Sequence, residues 1–245
     1  MVPLIHGDQE LELTRGKSLF DYADTLSVRV PTSCGRTGEC HECIVEVKRG
    51  AEALNDPTES EQFLLNENYR LACQARVVEP DADIEFQVLR RQPRILTDSI
   101  HREVALDPIV RRVGDGVKIN GNRVDSYKGK IYGLAVDCGT TTVVMNLADL
   151  ESGQILHTAS FENPQRFGGS DIMHRISYDG GPYHGELRQV MLSSLNFEIG
   201  DMSRRLRIHR RRIYDVVVVG NTTMRDIVFG DDGQSVGEKP YKSLT

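Results

Sequence analysis

"SCGRTGECHEC", residues 33–43, brings three cysteines and two glycines into one short loop, and the next cysteine comes only in "RLACQ", residues 70–74. The thiols of Cys34, Cys40, Cys43 and Cys73 follow the pattern C-x5-C-x2-C-x29-C. Met1 leads straight into "VPLIHGDQELEL", without the basic start and apolar stretch of a secretory signal. A reducing, cytoplasmic setting is therefore expected, and clustered cysteines there read as metal ligands and not as disulfides. The fifth cysteine, Cys138, lies in an apolar strand and reads as a small core residue.

Four thiolates suit a two-iron, two-sulfide cluster, whose bridging sulfides also need amide donors close by. Gly35 and Gly38 allow a loop to wrap tightly enough to supply them. The first gap is one residue longer than in the plant-type C-x4-C-x2-C spacing. A tetrahedral zinc site uses the same sulfur donors, although such sites usually show two C-x2-C knuckles and this chain has one.

Around the loop the signals alternate between strand and helix. "ELELT" places Leu11 and Leu13 on one face of a strand, and Leu19, Phe20 and Ala23 recur at helical spacing. "CIVEVKRG" reads as a strand through Ile44, Val45 and Val47. Thr58 and Glu61 form a capping box that predicts a short helix over Phe63–Leu65, and "ACQARVV" and "DIEFQVL" predict two more strands about the Pro80-Asp81 turn. Residues 1–90 thus form a compact α+β domain. Residues 91–130, with Pro93, Pro108 and weak periodicity, read as a linker.

A second domain, residues 131–245, opens at "IYGLAVDCGTTTVVMNLADLESGQIL", whose apolar runs predict consecutive antiparallel strands. Helices are predicted near 170–178 and 184–209, and "IYDVVVVGNTTM" reads as a fully buried strand ending in a Gly-Asn-Thr-Thr loop. In "DCGTTT" an acid, a glycine and three threonines make either a phosphate nest, with Asp137 holding Mg²⁺, or an ordinary hairpin rich in strand formers.

The 245 residues, 39% hydrophobic and 27% charged, suit two globular domains, and no apolar run spans a bilayer. Residues 1–90 carry 17 acidic against 9 basic side chains, which argues for protein partners and against nucleic acid. The basic run Arg204, Arg205, Arg207, Arg210, Arg211 and Arg212 falls at a predicted helix end, where cations suit the macrodipole.

"CGRTGECHEC" with "RLACQ" resembles the ferredoxin-type [2Fe-2S] module of β-grasp fold over residues 3–90. The resemblance implies that Cys34 and Cys40 bind one iron and Cys43 and Cys73 the other; His41 stands where many relatives have glycine. "DCGTTT" resembles the first phosphate motif of the actin-like ATPases, which have an RNase H-like fold. Together with "ENPQRFGGSDIMHRISY" and "VVVVGNTTM", the order of motifs resembles the reductive activators of corrinoid proteins. That likeness implies ATP and Mg²⁺ at Asp137, Gly139, Thr140, Thr141 and Thr142, with Gly220, Asn221 and Thr222 as either further contacts or a structural turn. It implies a low-potential electron donor and a corrinoid protein or methyltransferase as partners, the Co(II) corrinoid being reduced to Co(I) with no residue doing covalent catalysis. The alternatives are a plain electron carrier with a docking domain and a phosphotransferase with an accessory cluster. The second half of the ATPase fold would lie past residue 245, so the chain is expected to be a C-terminally truncated fragment with only half of an ATPase site.

Overall fold

The structure is a computed structural model that describes residues 3–6, 9–89 and 106–242. Met1, Thr245 and residues 91–105 of the expected linker, with Pro93, lie outside the described residues.

The first module consists of β1 (Pro3–His6), β2 (Gln9–Glu12), α1 (Leu19–Thr25), β3 (Ile44–Arg49), β4 (Tyr69–Leu71) and β5 (Ile84–Val88). Its sheet runs β2-β1-β5-β3-β4, with β1 parallel to β5 and the other pairs antiparallel. This is the expected β-grasp arrangement. Ser18 starts α1 through a reciprocal box, its Oγ accepting from Asp21 N at 3.2 Å while Asp21 Oδ2 accepts from Ser18 N at 2.9 Å. The helix then buries Leu19, Phe20, Tyr22 and Ala23 in a core shared with Val45, Val47 and Phe86.

Two expectations fail here. The Thr58–Glu61 box forms, but it heads a single 3-10 turn, Glu59–Glu61, and Phe63–Leu65 lie beyond it. "ACQARVV" is not a strand, because the backbone turns on itself at Leu71, whose carbonyl accepts from Gln74 N at 2.8 Å and Ala75 N at 2.9 Å. Only Arg76 and Val77 make isolated bridges.

The second half of the expected linker is instead a three-stranded antiparallel sheet of β6 (Val110–Val113), β7 (Gly116–Ile119) and β8 (Asn122–Ser126). Val110 and Val117 pack with Ile131, Leu150 and Tyr214, so this sheet belongs with the second module. Short strands separated by Gly114 and Gly121 carry too few apolar residues to show a clear period.

The main sheet of the second module, β11-β10-β9-β12, comprises β9 (Tyr132–Cys138), β10 (Thr142–Asp149), β11 (Ile155–Glu162) and β12 (Ile213–Gly220). The first three are antiparallel neighbours and β12 runs parallel to β9. Helices α2 (Ile172–Asp179), α3 (Glu186–Leu206) and α4 (Thr222–Phe229) accompany it. The basic run begins in the last turn of α3 with Arg204 and Arg205 and continues into a 3-10 turn, Arg210–Arg212. The reading of β12 as fully buried is corrected: Val216, Val217 and Val219 are 52%, 54% and 56% exposed. β12 pairs only with β9 and forms the sheet's edge.

The two modules share one hydrophobic core. Phe63 of the first packs edge-on against Phe167 of the second, and its carbonyl accepts from Tyr178 Oη at 2.6 Å. Arg29 pairs with Asp201 on α3 and lies over the Phe197 ring. No described helix is long and apolar enough to cross a membrane.

Candidate functional site

The cysteine loop takes left-handed backbone at Gly35 (φ 67°), Arg36 (φ 74°), Gly38 (φ 92°) and His41 (φ 54°). A side chain at Gly38 would also meet Gln74 Nε2 and Ser60 Oγ at 3.0 Å, so beyond the backbone strain those two side chains would have to shift. Such repeated turns aim successive amides inward.

The structure sorts the four thiols into two pairs. Cys43 and Cys73 are buried, with their sulfurs 3.4 Å apart. Cys34 and Cys40 are half-buried, and both sulfurs lie 4.0 Å from Thr32 Oγ1. Burial raises the pKa of the Cys34 thiol, but hydrogen bonds from Thr37 and from the amides of Cys40 and Gly38 outweigh it and bring the thiol down to about 5. Within the inner pair Cys43 donates to Cys73, which raises the pKa of Cys43, with burial adding to the effect, and brings Cys73 down to about 7. Gln74 Nε2 also donates to Cys73 Sγ at 3.3 Å. Two sulfur pairs, with Cys34 and Cys73 each stabilised as a thiolate by hydrogen-bond donors, fit a two-iron cluster.

Cys73 is held by groups outside the loop. Glu61 and Arg70 form a buried ion pair, Nε to Oε1 at 2.9 Å and Nη2 to Oε2 at 3.2 Å, and Glu61 Oε1 also accepts from Leu71 N at 2.8 Å. Glu61, read from the sequence only as a cap, therefore fixes the backbone two residues before Cys73. Thr32, Gln74 and Arg70 were missed, although Gln74 adjoins a ligand candidate. Cys138 is buried away from the loop, and burial pushes its thiol up to about 11.

In the second module the two glycine-threonine loops meet. Asn221 Nδ2 donates to Thr140 Oγ1 at 3.0 Å, while Asn221 Oδ1 caps α4 by accepting from Met224 N at 3.0 Å. Asn221 thus holds a turn and touches the first loop together, and Thr222 is the first residue of α4. Gly139 N donates to Thr142 O at 3.0 Å, and a side chain at Gly139 would lie 2.6 Å from that oxygen. Gly220 likewise sits against Cys138 O. Asn163, which the sequence reading did not single out, pins the first loop: its Nδ2 donates to Gly139 O at 2.8 Å and its N to Thr141 O at 2.7 Å. Asp137 lies exposed on the face of β9 opposite Val136 and Cys138, beside Val219 of β12. Asp137 and the threonines therefore share one end of the β9–β10 pair.

Comparison with known proteins gives each module a counterpart. Residues 5–78 match the family model of the 2Fe-2S iron-sulfur cluster binding domain, and residues 132–245 match the RACo middle region. The chain is 24% identical to the corrinoid activation enzyme RamQ of Eubacterium limosum, over 98% of this chain and 47% of that protein. The first module is 28% identical to the 2Fe-2S ferredoxin of Escherichia coli (strain K12), over 31% of this chain and 74% of the ferredoxin. Among solved structures, a reductive activator for corrinoid, iron-sulfur protein shares the fold with a TM-score of 0.54 at 23% identity, covering all of this chain and 51% of its own. The chain thus spans about half the length of the full-length relatives it matches.

Proposed function

From a chain that joins a [2Fe-2S] cluster-binding domain to a RACo middle region, we propose an electron-transfer protein that reductively activates a corrinoid protein. When bound, the cluster supplies a one-electron redox couple at the cysteine loop. Cys34, Cys40, Cys43 and Cys73 supply the thiolates, and the loop amides with Gln74 stabilise their negative charge. One electron from a low-potential donor passes through this module to the Co(II) corrinoid of a partner methyltransferase protein, giving Co(I). The half-buried pair, Cys34 and Cys40, marks the edge nearest solvent and so the exit side. The acidic first module, with 17 acidic against 9 basic residues, suits a basic patch on that partner. The setting is a reducing cytoplasm.

Asp137, Gly139, Thr140, Thr141 and Thr142, with Gly220, Asn221 and Thr222, are the nucleotide-binding candidates. ATP binding there would shift the second module and, through the shared core, the loop. Residues 1–90 form the electron module, and the β6–β8 sheet goes with the second. The observation that carries the reading is the pairing of the thiols, Cys43 with Cys73 and Cys34 with Cys40.

Anaerobic EPR tests it. The dithionite-reduced protein shows a one-electron signal that disappears on adding a Co(II) corrinoid protein, faster with MgATP than without. Asp137→Ala removes the MgATP effect; unchanged transfer in that variant would identify a plain carrier, and a protein without iron or labile sulfide after reconstitution would end the reading.

A further inference from the structure

A line of buried hydrogen bonds runs from the first glycine-threonine loop to the cysteine loop. Asn163 and Gln165, both buried, stand on either side of Pro164 where the 3-10 turn Pro164–Gly168 begins. Asn163 Nδ2 donates to Gly139 O at 2.8 Å and to Gln165 Oε1 at 3.2 Å, and Asn163 Oδ1 accepts from Gln165 N at 2.9 Å. Gln165 Nε2 then donates to Leu187 O, in the first turn of α3, at 3.1 Å. Glu186 and Gln189 flank that carbonyl, and both reach the first module: Glu186 pairs with His41, and Gln189 Nε2 donates to the carbonyl of Cys40. Gly139 and Cys40 are thus joined through two buried amides and one helical turn.

Apolar side chains of the same size would fill this space, so packing alone does not call for amides here. All four polar side-chain atoms of the pair have partners, and a buried amide left without one is costly. A fully satisfied polar network in a close-packed core has one low-energy arrangement, and a displacement at one end is passed on instead of being absorbed.

We propose, on the reading of the two loops as nucleotide and cluster sites, that Gln165 is a positioning residue that couples them: it sets the first turn of α3 against the Gly139 loop, and Gln189 carries that position to the backbone of Cys40. Both side-chain partners of Gln165, Asn163 and Leu187, belong to the second module. Its influence on the cluster therefore runs through α3.

Redox titration of the full, cluster-loaded chain, followed by EPR, tests the link. The amide of Gln189 presents its positive end to Cys40 and so favours the more negative, reduced cluster. Gln165→Met keeps the length of the side chain and loses the donor; it lowers the ratio of reduced to oxidised cluster at a fixed potential by roughly threefold or more, with the iron content unchanged. Gln189→Ala lowers the ratio in the same way, and the double variant goes no further than the larger single change. If Gln165→Met does not fold, Gln165→Asn, too short to reach Leu187, takes its place. Shifts that add would route the effect past α3, through the neighbouring Arg166 and Phe167, and overturn the proposal. An unchanged ratio in Gln189→Ala, or in the folded Gln165 variant, also overturns it. MgATP moves the ratio in the natural protein and not in Gln165→Met; if MgATP leaves the natural protein unchanged while the two single variants still fail to add, the nucleotide reading fails and the link stands.

Discussion

His41 Nδ1 lies 3.0 Å from Glu186 Oε2, which ties the residue following Cys40, a proposed cluster ligand, to the first residue of α3, 145 positions away. One turn further along the helix, Gln189 Nε2 donates to the carbonyl of Cys40 at 3.2 Å. Glu186 also places a carboxylate at the N-terminus of α3, where Gly185 offers no side-chain cap. The cluster loop is thus seated on the second module.

His41 holds a left-handed backbone, φ 54°, while its ring stacks on Phe63 with centroids 4.1 Å apart. That backbone costs a non-glycine residue about 1–2 kcal/mol, and the stack and hydrogen bond return about the same. His41→Ala keeps the strain and loses the contacts, so it should cost about 1–2 kcal/mol. His41→Gly loses both and should stay within about 1 kcal/mol of the natural protein. Thermal unfolding of the cluster-loaded protein separates them; equal losses would mean that the backbone is not strained.

Replacing Cys34, Cys40, Cys43 or Cys73 with serine should each abolish the visible absorption and the EPR signal of the reconstituted protein. Cys138→Ser should keep both, and should cost about 1–3 kcal/mol because it buries a hydroxyl where Cys138 is 1% exposed. A cluster that survives Cys73→Ser would remove the distant cysteine from the ligand set.

Glu61→Gln leaves Arg70 charged and buried, the two side chains being 1% and 3% exposed. The expected loss is about 3–5 kcal/mol, together with faster release of iron, since Glu61 also holds Leu71 N. Arg49→Ala, at an exposed pair with Glu85, should cost less than about 1 kcal/mol. Chemical denaturation of both variants provides the comparison.

What could be read in advance depended on how far apart the cooperating residues lie. The β9–β10–β11 strands follow one another in the chain, so they were legible, and three of the four candidate cluster cysteines stand together in one loop. Glu61 looked like a helix cap because its other partners, Arg70 and Leu71, come from β4. The valines of β12 signalled burial by composition, but burial also requires a covering layer, and β12 has one neighbour.

Acid should loosen the contact between the modules. Burial opposes ionisation of Asp201, but the hydrogen bond and charge of Arg29, with Arg205 and Arg204, outweigh it and hold its carboxyl below the usual range. A carboxyl depressed in the folded state contributes its full stability above the unfolded value of about 3.9 and loses it as pH falls through the folded value. Stability attributable to this pair should therefore be flat from neutrality to about pH 5 and decline below about pH 4. Asp201→Asn should be less stable at neutral pH by about 0.5–1 kcal/mol and should lose less on acidification. An identical acid profile in the variant would show that Asp201 does not hold this contact.

The sheet allows a direct comparison of two valines one strand apart. Val136 on β9 is 1% exposed and Val217 on β12 is 54% exposed, although both lie in apolar runs. Val136→Thr puts a hydroxyl into the core between the sheet and its helices, at a cost of about 1–3 kcal/mol. Val217→Thr keeps the β-branched shape on an open surface and should change stability by less than about 0.5 kcal/mol. Measured on the 245-residue chain by denaturant unfolding, a loss at Val217 as large as that at Val136 would mean that the outer face of β12 is covered in solution.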